Sequence, residues 1–273
     1  MSVDLSQLVA AFERNWPIEL AEQWDAPGLV VGSVNQKVSR VLLTVDVTAE
    51  ILAEAQDGEF DLILAHHPYL MRGVNTISEQ TAKGALLASA ARSRTAIYAA
   101  HTNADVVADG VSAALAAAIG ILDAQPLVPS SDRSIGHGRI GQLASPITLG
   151  DFARQVAGVL PSTATGVRVA GDYDQLMSRV ALCGGAGDSF IGDAINAGAD
   201  VYLSSDLRHH PVQDAREHSL LNGGKPAIID VSHWAAEWLW LEVAAKQLSQ
   251  EFSQVQFVVS HLRTDPWDFV VTQ

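Results

Sequence analysis

Leu62-Ile63-Leu64-Ala65-His66-His67-Pro68 is a short apolar run that ends at once in two imidazoles and a proline. An apolar run this short, bounded by a breaker, reads as a buried strand, and Pro68 disfavours further regular structure at His67. Two similar runs flank it, Val41-Leu42-Leu43-Thr44-Val45 followed by Asp46, and Ala96-Ile97-Tyr98-Ala99-Ala100 followed by His101. Helical patterns near Ala49 to Gln56 and Ala82 to Arg92 separate them. Strands alternating with helices require crossover connections, so the spacing predicts a largely parallel sheet. Ligands of such sheets gather at the carboxyl ends of the strands, where His66, His67 and His101 stand. Asp46 holds the same position after the first run, but with no clustered partner it is read with Thr48 as part of the next helix cap.

On the amino-terminal side, Leu5 to Phe12 has helical apolar spacing, and Trp24 to Gly32 mixes turn formers with apolar residues, predicting an irregular packed loop. On the other side, Val111 to Ile121 reads as a helix, and Pro126, Pro129, Ser130, Ser131, Gly136 and Gly138 mark the clearest break. Further elements follow at Ile140 to Leu143, Leu149 to Val159, Val167 to Ala170, Val180 to Leu182, Phe190 to Ala197 and Val201 to Leu203. A second break falls at Asn222-Gly223-Gly224-Lys225-Pro226. Ala227 to Asp230 is again a strand, and Ser232 is placed to cap a helix from His233 to Leu248. Because this last unit carries ligand-type residues, it is expected to return to the first domain. The expected class is α/β, a two-domain protomer with a mixed, largely parallel sheet in the outer domain and an inserted α/β middle domain. Residues 1–127 and 227–273 would form the outer, metal-binding domain, and 128–226 the insertion.

Composition narrows the function classes. The chain has 273 residues, 48% hydrophobic and 18% charged, a globular balance with ample material for a core. Its 31 acidic against 17 basic residues give a formal charge of -14, the wrong sign for a nucleic-acid binder that lives on phosphate contacts. No basic region leads into an apolar stretch near the start, and the apolar run at Val111 to Leu122 is too short to span a bilayer. A cytoplasmic protein without membrane or nucleic-acid partners is expected. The single cysteine, Cys183, closes an apolar strand and reads as a small buried side chain.

The histidines and carboxylates carry the chemistry. His66 and His67 can serve one site only where the strand stops, because neighbours on a regular strand face opposite ways. His233 and Glu237 are four apart and share one face of a helix. Each pattern has a plainer explanation: adjacent histidines are often surface residues, and a His-x-x-x-Glu pair is often an exposed contact of about 0.2–0.5 kcal/mol. Their joint occurrence at strand ends of an alternating fold favours a shared metal site. Imidazoles and carboxylates without thiolates suit zinc, manganese, iron, cobalt or nickel better than magnesium or calcium. Two divalent ions would leave the site locally positive, which leaves room for a small anionic or nucleotide substrate, since distant surface charge is screened over about 8 Å. Gly184-Gly185-Ala186-Gly187-Asp188 matches neither phosphate-binding fingerprint and reads as a tight, close-packed turn. His209-His210 reads as a loop and helix start.

Taken together, Trp24-Asp25 with Gly28-Leu29 and Gly32, His66-His67-Pro68, His101-Thr102-Asn103 with Asp105, Gly138-Arg139-Ile140-Gly141, Cys183-Gly184-Gly185-Ala186-Gly187, and Asp230 with His233 and Glu237 resemble the GTP cyclohydrolase I type 2 homologue family, also called Nif-three-like. The resemblance runs along nearly the whole chain. It implies a dinuclear metal site with His66, His67, Asp105, His233 and Glu237 as ligands, Glu237 bridging, and a toroidal homohexamer. His101 belongs to the same motif as a proton shuttle rather than a required ligand, which makes His101 and Glu237 the candidate catalytic residues. Ser232 and Trp234-Ala235-Ala236 stand where family members often carry Gly and Tyr-x-Thr, so the pocket wall differs. The implied function is a metal-dependent hydrolase; the alternative is a non-catalytic metal-binding scaffold or regulatory protein.

Overall fold

The structure, a computed structural model, describes residues 2–272 and divides into two compact units. Residues up to Ala104 with Leu241–Thr264 form the first, and Asp105–Trp240 with the residues from Asp265 onward form the second.

The first unit is built on a five-stranded sheet. Its strands are β1 (Gly28–Val31), β2 (Arg40–Thr44), β3 (Leu62–Ala65), β4 (Ala96–Ala99) and the closing strand Gln256–Val259. In space the order is closing strand, β2, β3, β4, β1, with all neighbours parallel except β1, which runs antiparallel to β4. Helices α2 (Ala49–Asp57) and α3 (Ala82–Ser93), following α1 (Leu5–Asn15), make the crossovers. Thr48 and Thr81 cap them by accepting from the backbone N–H of Ile51 and Gly84 at 3.2 and 3.1 Å. Ile51, Leu52 and Ala55 of α2 and Leu86 and Ala90 of α3 are buried with Leu42, Ile63 and Ile97 of the sheet. β3 and β4 are buried along their whole lengths, as a parallel strand covered on both faces requires.

The register positions the chemistry. Thr44 lies opposite Ala65, and Ala65 opposite Ala99, so the residues that follow emerge at one edge. The ladder continues for one more step: His66 N–H donates to Thr44 O at 3.0 Å, His67 N–H to Val45 O at 2.9 Å and Ala100 N–H to Ala65 O at 2.9 Å. Trp24 to Gly32, expected as an irregular loop, instead contains the edge strand β1. Gly32, at φ 121°, is held so near β4 that a Cβ there would lie 2.7 Å from Ala96 Cβ, which is why glycine occupies the strand end.

The second unit carries a six-stranded mixed sheet of β5 (Leu122–Gln125), β6 (Arg139–Thr148), β7 (Arg168–Ala170), β8 (Leu176–Ala186), β9 (Val201–Ser205) and β10 (Ala227–Val231), in the order β7-β10-β9-β8-β6-β5. β8, β9 and β10 are parallel, and the remaining pairs are antiparallel. Alternation along the central strands feeds two cores. Val180, Leu182, Leu203 and Ile229 pack with Leu115, Phe152 and Val156 on one face, and Ala181, Cys183, Tyr202 and Ile228 pack with Ile191, Ala194 and Ala215 on the other.

Two elements differ from expectation. The strand β10 was expected to return to the first domain, but it pairs along its length with β9, Val201 opposite Ala227 through Ser205 opposite Val231. Its apolar sequence fits either sheet, and strand pattern does not encode the partner strand. The helix Val111–Ala118, placed by expectation in the outer domain, buries Leu115 and Ala116 in the core of the second unit. The unit boundaries accordingly fall at 104/105 and 240/241, where the sequence breaks had suggested 127/128 and 226/227.

Candidate metal centre

Three imidazoles meet at the carboxyl edge of the first unit's sheet. One ring nitrogen from each of His66, His67 and His101 lies within 4.8 Å of the other two, and the ring centroids are 5.1, 5.2 and 5.3 Å apart. In each ring Nδ1 faces an acceptor. His66 Nδ1 lies 2.9 Å from Ala100 O, His67 Nδ1 2.7 Å from Asp46 Oδ1, and His101 Nδ1 2.8 Å from Asp25 Oδ1. A carbonyl or carboxylate oxygen can only accept, so each Nδ1 carries its proton and each neutral ring keeps its lone pair on Nε2. Outer partners of this kind orient metal-binding histidines.

Those partners are themselves fixed. Asp46 Oδ2 accepts from the Thr264 hydroxyl at 2.6 Å. Asp25 Oδ2 accepts from Thr102 N–H at 3.0 Å and from the Thr102 hydroxyl. Burial works to raise the Asp25 pKa, but the hydrogen bonds from His101 and Thr102 outweigh it and leave it at about 2. The Asn103 side chain accepts from His101 N–H at 2.9 Å and donates to Trp16 O at 2.7 Å, tying the strand end to the end of α1.

In the second unit, β10 delivers the chain into the helix His233–Glu251. Ser232 caps it as expected, accepting from Ala235 N–H at 3.3 Å while its hydroxyl donates to Asp265 at 2.6 Å. One helical turn then sets His233 Nε2 2.8 Å from Glu237 Oε1, with His233 Nδ1 2.8 Å from Asp206 Oδ2. Burial pulls the His233 pKa down, yet the two carboxylates prevail and hold it well above the usual histidine range. Glu237 is 2% exposed. Gly185, at the end of β8 with φ +74°, passes so close that a Cβ there would lie 2.6 Å from Glu237 Oε1 and 3.4 Å from His233 Nε2. The glycine run, expected as a tight turn, is instead the close-packed end of β8, which continues to Ala186.

The structure thus brings His66 and His67 together with His101 in the first unit, and His233 together with Glu237 in the second. Asp105, at the end of the short helix Thr102–Asp105, stands in neither set. Sequence reasoning gave no supporting role to the three carboxylates Asp25, Asp46 and Asp206, although Asp25 stood in a quoted motif. Asp46 was visible at a strand end but was read with the helix cap, and Asp206, at φ 52°, had only its turn position to mark it. Cys183 is buried, and desolvation, followed by the charge of Asp105, pushes its thiol up to about 12, which disfavours the thiolate. His209 and His210 open the helix His209–Leu221. Among the described residues no helix is long and apolar enough to cross a membrane.

A family model described as Duf34/NIF3 (NGG1p interacting factor 3) matches residues 3–266. The chain is 42% identical over 270 residues to a GTP cyclohydrolase 1 type 2 homolog of Streptomyces coelicolor, covering 96% of this chain and 93% of the relative. It is 31% identical to a protein of the same description from Clostridium perfringens, covering 97% and 99%. Among solved structures, the Bacillus cereus protein related to NIF3 superposes with a TM-score of 0.88 at 25% identity, covering 98% of this chain and 99% of that one.

Proposed function

The chain belongs to the Duf34/NIF3 family, and from that premise we propose that it is a metal-dependent hydrolase whose two divalent ions would be held by His66, His67, Asp105, His233 and Glu237. The observation that carries this reading is the anchoring of His66 and His67 through Nδ1, which leaves their Nε2 lone pairs as donors. The contact of His233 with Glu237 adds a neighbouring nitrogen and carboxylate of the kind such ions take. When bound, two such ions supply Lewis-acid polarisation of the substrate and lower the pKa of water.

The remaining work falls to His101 and its support. With Nδ1–H given to Asp25, His101 accepts a proton at Nε2 from the attacking water, and the ionised Asp25 carboxylate stabilises the imidazolium that results. The same ring returns the proton to the leaving group. Loss of His101 is expected to lower kcat by about 10²–10⁴-fold while metal content is kept.

The description shared by the curated relatives makes GTP the first substrate to test, with attack on the imidazole ring of its guanine. A toroidal homohexamer is the assembly we expect, checked by light scattering. The decisive assay offers GTP and a panel of phosphoesters to metal-loaded protein. Turnover that is lost in Glu237→Gln supports the hydrolase. No turnover of any compound, with Glu237→Gln indistinguishable, leaves a non-catalytic metal-binding scaffold or regulatory protein.

A further inference from the structure

A cleft of about 300 Å³ in the second unit is lined by residues of the edge strand β7, of β10 and of the helix His209–Leu221. Its floor is apolar, formed by Ala170, Leu207, Val212 and Ile228. Its rim is cationic, with Arg168, Arg216 and His209. That concentration stands out in a chain of formal charge -14. Arg168 is fixed by an ion pair with Asp230, whose other oxygen accepts from Leu207 N–H at 3.2 Å. Asp230 therefore offsets one guanidinium, and its remaining contact organises the floor. Among the described residues, Arg216 has no hydrogen-bond or ion-pair partner. The rim carries one net positive charge with His209 neutral, and further donors of the Arg168 fork remain beyond the Asp230 contact.

An apolar floor with a few convergent polar groups is the make-up of a small-molecule site, and this volume lies at the small end of such sites. A free guanidinium beside a braced one matches the oxygens of a phosphate or carboxylate. We propose that this cleft binds a small organic anion, with its phosphate or carboxylate head on Arg216 and Arg168 and a ring-sized apolar body on Val212 and Ile228. The head group is held by charge, and the body supplies affinity by leaving water. A bare anion gains only the first of these.

Titration calorimetry of the full-length protein tests this with phenyl phosphate, benzoate and inorganic phosphate as probes. Two substitutions address the two halves of the site, Arg216→Gln for the head group and Val212→Phe to fill the floor. Both positions are partly or fully exposed, and circular dichroism checks that each variant folds. The expected result is that phenyl phosphate or benzoate binds more tightly than inorganic phosphate. Arg216→Gln should weaken that binding by about tenfold or more, the scale of a lost charge-assisted contact, and Val212→Phe should weaken it as well. A His66→Ala, Glu237→Ala double variant should bind the organic probe unchanged. The proposal is overturned by no binding of either organic probe, by equal affinity in Arg216→Gln, or by binding that disappears in the double variant. The last outcome would assign the probe to the metal centre.

Discussion

Asp46 Oδ1 lies 2.7 Å from His67 Nδ1, and Asp46 Oδ2 accepts from the Thr264 hydroxyl at 2.6 Å. One carboxylate thus fixes the tautomer and the orientation of a strand-end imidazole. Loss of such a partner from a metal-binding histidine costs about 10–100-fold in metal affinity. Asp46→Ala is therefore expected to weaken metal binding by that factor while leaving the fold intact, measured by competition with a chelating dye. Unchanged affinity would mean that His67 does not bind metal.

Gly185→Ala tests the approach of β8 to the His233–Glu237 pair. The backbone there has φ +74°, and the new Cβ would meet Glu237 Oε1 at 2.6 Å. Left-handed strain alone costs about 1–2 kcal/mol, and the displaced carboxylate adds to it. The variant should show a lower melting temperature and less bound metal than wild type.

Arg139 explains a motif that carries no chemistry of its own. Its guanidinium is buried and donates to the carbonyls of Gly136 and Gly138 at 2.8 and 2.7 Å and to those of Val107 and Ala108 at 2.6 and 3.2 Å. Arg139→Ala strands several carbonyls, at about 1–3 kcal/mol for each buried group left unsatisfied. Urea unfolding should show a large loss, and Arg139→Lys, which lacks the planar fork, should recover little of it.

Asp200 gives a pH-dependent term away from the metal centre. Burial raises its pKa, but the backbone N–H groups of Arg179 and Ser178 and the Lys225 ammonium prevail and hold it below the usual value of 3.8. A carboxyl depressed in the folded state contributes stability above its unfolded pKa, and that stability is lost as pH falls through the folded one. Asp200→Asn should therefore be less stable than wild type at neutral pH, with the gap closing below about pH 4. Denaturant midpoints across pH measure this, and a gap independent of pH would contradict the assignment.

The first sheet was legible because β2, β3 and β4 are short, almost wholly apolar runs, each followed by helical spacing, and parallel strands buried on both faces look like that. The strand-end histidines were legible for the same reason. The edge strands were not. Their apolar runs, Leu29-Val30-Val31 and Phe257-Val258-Val259, are only three residues long, too short to set a strand apart from a packed loop, and both strands are only half-buried or exposed. The sheet to which Ala227–Val231 belongs was also beyond local pattern, since pairing with β9 is a long-range choice. Asp25 stood in a quoted motif but without a role, and Asp206 was hidden, because a carboxylate that grips an imidazole many residues away looks, in sequence, like any turn acid.

The central claim is that His66 and Glu237 are metal ligands. Elemental analysis of purified wild type beside His66→Ala and Glu237→Ala, each checked for folding by circular dichroism, tests it most directly. The account predicts about two divalent ions per chain in wild type, the complement of a two-metal hydrolase, and a marked loss in each variant. Metal content unchanged in both folded variants would contradict it.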